Sequence, residues 1–183
     1  MKKTENISVS IISEKYYHNH KLELRIGDWK KHFDPNYVNT IIAMALNHCT
    51  EETDFIINGY LITSKNLYLV AKTDKKRFDE MLHKIEHHIN LLLKFLTPEK
   101  NKYEIDFYID QDDNYSIIHE PLFTVYPFKN DYLIRLITGK KVVLPYYNPE
   151  LESLKSIVQH HPFCSVIDYS GAIGPVTVIP LKD

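Results

Sequence analysis

The stretch Gly59-Tyr60-Leu61-Ile62-Thr63-Ser64-Lys65-Asn66-Leu67-Tyr68-Leu69-Val70 decides the reading of this chain. Apolar and aromatic residues crowd both of its ends, and Thr63-Ser64-Lys65-Asn66 between them is polar and turn-forming. The pattern predicts two strands, residues 55–62 and 67–73, joined through that turn. Side chains two apart on a strand point to one face, so Asn66 and Tyr68 share a face while Leu67 packs the other way.

The flanking segments supply the rest of a layered fold. Asp34 followed by Pro35 is a helix start, with a side-chain acceptor at the N-cap and proline at the first helical position. Val38, Ile41, Ile42, Ala45, Leu46 and Cys49 follow at helical spacing, which predicts a first helix through about residue 49. After the strand pair, Phe78, Met81, Leu82, Ile85, Ile89, Leu92, Leu93 and Leu96 line one face of a second helix, expected to begin near Asp74 and end at Pro98. Residues 7–17 and 21–27 read as strands, either a hairpin or one bent strand, and residues 103–109 alternate as a fourth core strand. The order β, α, β, β, α, β predicts an α+β, ferredoxin-like core, an antiparallel sheet with two helices on one face.

Beyond residue 110 the pattern is weaker. Gln111-Asp112-Asp113-Asn114 reads as a turn, residues 131–138 as a short helix stopped by Gly139, residues 150–159 as another after Pro149, and residues 176–181 as a terminal edge strand. A length of 183 residues fits a single domain, with the core at about 7–110 and a C-terminal extension at about 111–183.

An apolar share of 44% and a charged share of 25% are those of an ordinary globule, and no apolar run approaches the roughly 18 residues of a membrane span. With no signal-like start, the expectation is a cytoplasmic protein with no membrane partner. Cys49 and Cys164 form no ligand spacing and read as buried thiols. A net charge of −2 gives no global attraction to phosphate, so any nucleic-acid contact must come from local patches acting within a Debye length of roughly 8–10 Å.

Three basic groups are candidates for such contact: Lys75-Lys76-Arg77 at the expected start of the second helix, Lys140-Lys141 after Gly139, and Lys30-Lys31 beside Trp29. At the N-terminal end of a helix, Lys75 to Arg77 oppose the helix dipole, which suggests service to a partner. Among the histidines, His83 and His87 have chelating spacing on the second helix but lie on its polar side and read as part of a solvated face, with no metal expected. His18 and His20 find no third ligand, and His160-His161 has no defined partner. The chain has no GxSxG, Walker-type or GxGxxG motif, and with five glycines a nucleotide-phosphate cradle is not expected.

Three pieces, in order, resemble the HUH-type tyrosine transposases, in particular the REP-associated group. Phe33 and the first helix lead to Gly59-Tyr60-Leu61-Ile62, the long amphipathic helix follows, and Asn148-Pro149 precedes Pro162-Phe163-Cys164-Ser165. The resemblance covers roughly residues 33–172 and is patchy from about 100 to 140. In that family two histidines flank one apolar residue where this chain has Asn66 and Tyr68, and the nucleophilic tyrosine lies four residues before the asparagine, where this chain has Leu144. An amide oxygen and an un-ionised phenol ligate a divalent ion poorly, and leucine cannot form a phosphotyrosine. Tyr146 and Tyr147 are the only nearby hydroxyls that could replace it.

The resemblance therefore implies a transposase-like protein that binds single-stranded or hairpin DNA, with no catalytic residue and no cofactor. Mg or Mn, and cleavage through a 5′-phosphotyrosine, would enter only if an active site had been rebuilt. A second reading makes the same scaffold a protein-interaction or homodimerisation module with no nucleic-acid role. A third, a small-molecule sensor, predicts a closed apolar pocket.

Overall fold

The computed structural model describes residues 16–96 and 121–181. Strand β1 (His18–Ile26) leads through a 3-10 turn (Asp28–His32) to helix α1 (Pro35–Glu52), strands β2 (Ile56–Ile62) and β3 (Asn66–Thr73), and helix α2 (Asp79–Leu96). Strand β4 (Phe123–Pro127) and helices α3 (Asp131–Ile137), α4 (Pro149–His160) and α5 (Val166–Tyr169) follow. The sheet order is β2-β3-β1-β4, with every neighbouring pair antiparallel. This is the α+β, ferredoxin-like arrangement expected from the element order.

Local chemistry explains the boundaries. The Asp34 carboxylate accepts from Asn36 N at 2.8 Å and Tyr37 N at 3.3 Å, capping α1 where the sequence places its start. Helix α2 begins five residues later than expected. Lys75 N turns back to the Thr73 hydroxyl at 3.3 Å, and helical bonding sets in with Leu82 N on Phe78 O at 2.9 Å. Asp79 and Glu80 then occupy the first turn, where they favour the helix dipole. Lys75, Lys76 and Arg77 precede the helix, so the dipole argument for a partner at that cluster no longer applies.

One side of the sheet packs on α1 and α2. Leu24 and Ile26 of β1, Ile57, Tyr60 and Ile62 of β2, and Leu67 and Leu69 of β3 meet Ile41, Ile42, Leu46, Ile85 and Ile89, all nearly inaccessible. Burial of each such aliphatic side chain contributes about 1.5–3 kcal/mol relative to exposure. On the opposite face, Leu61 and Val70 pack against Phe128, Leu133, Ile134, Ile137, Val158 and Cys164, so α3 and α4 cover part of what a two-layer fold would leave open.

The strand paired with β1 on its outer side is 123–127, beyond the core limit drawn at residue 110. The expected strands at 7–17 (all but its last two residues) and 103–109, and the turn at 111–114, lie outside the described residues. Pro121 and Pro127 bracket β4 and hid it, because proline within an apolar run argues against a strand; at a sheet edge it is tolerated. Residues 176–181 form no regular strand but run along the β2 edge, where Ile179 N donates to Ile57 O at 2.9 Å and Asn58 Nδ2 to Ile179 O at 2.8 Å. The 163–165 segment covers the rest of that edge, through Ile62 N on Phe163 O and Ser165 N on Tyr60 O, both 3.0 Å. No described helix is long and apolar enough to cross a membrane.

Candidate functional site

The outward face of the sheet carries the residues singled out by the sequence. Register sets Glu23 opposite Tyr68 and Arg25 opposite Asn66 across β1 and β3, and Glu23 opposite Tyr126 and Arg25 opposite Thr124 across β1 and β4. Asn66 and Tyr68 do share a face, as the two-residue period requires.

Their side chains form a closed polar network with Glu23, a residue that no local pattern singles out. Asn66 Nδ2 donates to Glu23 Oε1 at 3.1 Å and to Tyr68 Oη at 3.0 Å. A carboxylate only accepts, so Glu23 fixes which end of the amide faces it. Asn66 thus spends its amide nitrogen on Glu23 and Tyr68, and its remaining oxygen is a weak neutral ligand for a cation. The Tyr68 ring lies 5.2 Å from that of Phe128, anchoring the phenol against the chain that enters α3.

The turn before β3 is equally constrained. Thr63 N donates to Asn66 O at 2.8 Å and Asn66 N to the Thr63 hydroxyl at 3.0 Å, while Ile26 N on Lys65 O, 2.9 Å, ties the turn to the end of β1. This brings Lys65 toward Arg25 and Lys30. Lys30 is half-buried with Nζ on Ile26 O at 3.1 Å; burial, and then the neighbouring Arg25 cation, lowers its pKa. Asp28 is the one acid among the charges that act on Lys30, and its own pKa is lowered first by the Lys31 ammonium, 2.8 Å away. Arg25, Lys30 and Lys65 thus form a basic edge beside Asn66, and the sequence had pointed only to Lys30 and Lys31. Trp29 is unavailable for stacking, since it is buried with Nε1 donating to Leu122 O at 3.0 Å.

The other candidates separate. Lys75 pairs with Glu80 at 3.4 Å and Arg77 with Asp79 at 2.5 Å, which leaves Lys76 of that cluster exposed with no described ion pair. Lys140 and Lys141 are exposed after α3. Leu144 is half-buried, and Tyr146 and Tyr147 are 63% and 78% exposed in a segment without regular structure. Asn148 caps α4, its side chain accepting from Leu151 N at 3.0 Å with Pro149 at the first helical position, so the Asn-Pro pair has a structural duty of its own.

Several histidines have partners of their own. His83 faces Glu86 at 3.8 Å, and the His87 ring meets the His88 ring edge-on. His88 Nε2 lies 3.1 Å from Glu52 and its ring stacks on His48 at 5.3 Å, linking α1 and α2. His20 Nε2 donates to Lys75 O at 3.1 Å, and His160 Nδ1 to Ser156 O at 2.8 Å. Among the described residues no group of three His, Cys, Asp or Glu is placed to hold a metal ion. Cys49 and Cys164 are buried and unpaired, and burial pushes their thiols up to about 12 and about 11.

Comparisons of this chain with protein-family models, with curated proteins and with solved structures give no match.

Proposed function

We propose that this chain is a divergent relative of the HUH tyrosine transposases that binds single-stranded or hairpin DNA without cutting it. The observation that carries the reading is the half-buried Glu23–Asn66–Tyr68 network on the partly covered sheet face, bordered by the basic edge of Arg25, Lys30 and Lys65. The network puts donors and a carboxylate where a metal-dependent nuclease needs imidazoles. The basic edge meets phosphates, and Tyr126, 44% exposed on the same face, offers a ring for base stacking.

Two pieces that carry the resemblance, distant in sequence, also lie side by side: residues 59–62 pair with residues 163–165 along the β2 edge. A shared scaffold would require that pairing, and it supports the family reading.

The test is a fluorescence-anisotropy titration with labelled hairpins and single strands at two salt concentrations, with EDTA or with Mn. Binding that weakens steeply with salt, is indifferent to metal and leaves no covalent adduct is the expected result. Absence of binding at low salt overturns the DNA reading and leaves the sheet face to a protein partner. A Mn-dependent adduct would place a nucleophile at Tyr146 or Tyr147.

A further inference from the structure

Between α3 and the outward face of the sheet lies a cleft of about 330 Å³, lined by Lys21, Val70, Asp131, Ile134, Arg135 and Lys140 among others. Three cations there face a single carboxylate. Lys21 stands opposite Val70 in the β1–β3 register, while Asp131 and Arg135 lie one turn apart on α3. Gly139 turns the chain through φ +72°, with Lys140 N donating to Arg135 O at 2.8 Å and Gly139 N to Leu136 O at 3.1 Å. That helix-ending motif brings Lys140 back beside Arg135.

These cations are not neutralised by neighbours. Lys31, Lys75, Arg77 and Lys155 each have an acidic partner within 4 Å, whereas among the described residues Lys21, Arg135 and Lys140 have none. The Thr138 hydroxyl is already committed to Ile134 O at 2.8 Å and Arg135 O at 3.2 Å. The buried side chains of Val70 and Ile134 give the cleft an apolar floor.

We propose that this cleft binds a phosphate monoester of nucleotide size. Arg135 presents a planar fork suited to phosphate oxygens, with Lys21 and Lys140 as flanking point charges. The volume exceeds what a bare phosphate fills, and the apolar floor suits a sugar or base. A free mononucleotide and the 5′-phosphorylated end of a DNA strand carry the same chemistry. The cleft shares the sheet face with the Arg25 edge but none of its residues, so the inference stands apart from the proposed strand binding.

The experiment is calorimetric titration of the full chain with deoxyadenosine 5′-monophosphate, with deoxyadenosine, and with short oligonucleotides bearing either a 5′-phosphate or a 5′-hydroxyl. The nucleotide should bind at least tenfold more tightly than the nucleoside. Arg135→Gln and Lys140→Gln, both at exposed side chains, should each weaken it about tenfold, and Lys155→Gln, at a lysine paired with Glu152, should leave it unchanged. Selective binding of the 5′-phosphorylated oligonucleotide, with the same variant losses and no mononucleotide binding, supports the cleft and assigns it to a strand end. Equal binding of nucleotide and nucleoside, insensitivity to both cleft variants, or no binding of any probe overturns the proposal.

Discussion

Ser165 and Tyr60, 105 residues apart in sequence, bond to one another through both backbone and side chain. Tyr60 N donates to Ser165 Oγ at 2.9 Å, Ser165 N donates to Tyr60 O at 3.0 Å, and the same hydroxyl reaches Ile137 O at 2.5 Å. One buried oxygen thus joins β2, the end of α3 and the start of α5. Ser165→Ala leaves the Tyr60 N–H and the Ile137 carbonyl without this partner in a site closed to water. Each unsatisfied group costs about 1–3 kcal/mol. Urea denaturation should show a midpoint loss of that order with an unchanged slope; an unchanged midpoint would mean that the hydroxyl is dispensable.

Gly59 lets the end of α3 lie close against β2. A Cβ at this position would lie 2.6 Å from Ile137 O and 3.0 Å from Thr138 Cγ2. The first of these is backbone, so relief requires moving the end of α3 off the sheet. Gly59→Ala should destabilise by about 1–3 kcal/mol, in the range of core overpacking. It should also deform the cleft beneath Arg135. Thermal unfolding of the variant checks the first effect and nucleotide titration the second.

The layer against α1 and α2 was legible in the sequence because its periodicities are strong and local. Ile41, Ile42, Ile85 and Ile89 announce helices with one buried face, and Leu67 and Leu69 a strand with the same inward side. Strand β4 was illegible because proline at both ends masks a five-residue run whose place is fixed only by pairing with β1. The site was half legible. The two-residue period puts Asn66 and Tyr68 together, but Glu23 and Arg25 join them through β1–β3 register, which no local pattern encodes. Lys65 and Lys21 were missed for the same reason. Lys75 and Arg77 precede α2, and their acidic partners, Glu80 and Asp79, stand in its first turn, a pairing that the basic run read by itself does not reveal.

Stability should fall as the solution is acidified below the ordinary histidine value of 6.5. Burial lowers the pKa of His88 below its ordinary 6.5, against the opposing pull of Glu52 and with help from His48 and His87. Burial likewise lowers that of His161. A group whose folded pKa is depressed contributes stability that is present above its unfolded value and lost as pH falls through the folded one. Glu86 and Asp168 are raised, mainly by burial, and act in the opposite sense, but from ordinary values of 4.5 and 3.8. Melting temperatures should decline as pH falls below 6.5, and His88→Gln with His161→Gln should flatten the curve. A decline of equal size in the double variant would remove both histidines as its source.

If the Arg25 edge carries DNA, its contribution should appear in the salt dependence. Each phosphate neutralised on a single strand adds about 0.7 to the slope of log affinity against log salt. Arg25→Gln and Lys65→Gln should each reduce that slope by about this amount. Lys75→Gln should not, because Lys75 is already paired with Glu80. Equal losses at all three positions would indicate diffuse attraction without a localised edge.

The Glu23–Asn66–Tyr68 network makes the proposed loss of a metal site testable in reverse. Replacing Asn66 and Tyr68 together by histidine sets two imidazoles on one strand face, two residues apart, with the Glu23 carboxylate already within 3.1 Å of the Asn66 amide. Two histidines and one carboxylate are a sufficient protein ligand set for zinc. The Asn66→His, Tyr68→His double variant should bind Zn²⁺ at one ion per chain by calorimetry, and adding Glu23→Gln should weaken that binding about tenfold. The unaltered face should bind none there, because its amide already donates to both neighbours. Failure of the double variant to bind would mean that strand β3 no longer holds the two positions at chelating geometry, and the descent of this face from a metal-binding one would lose its support.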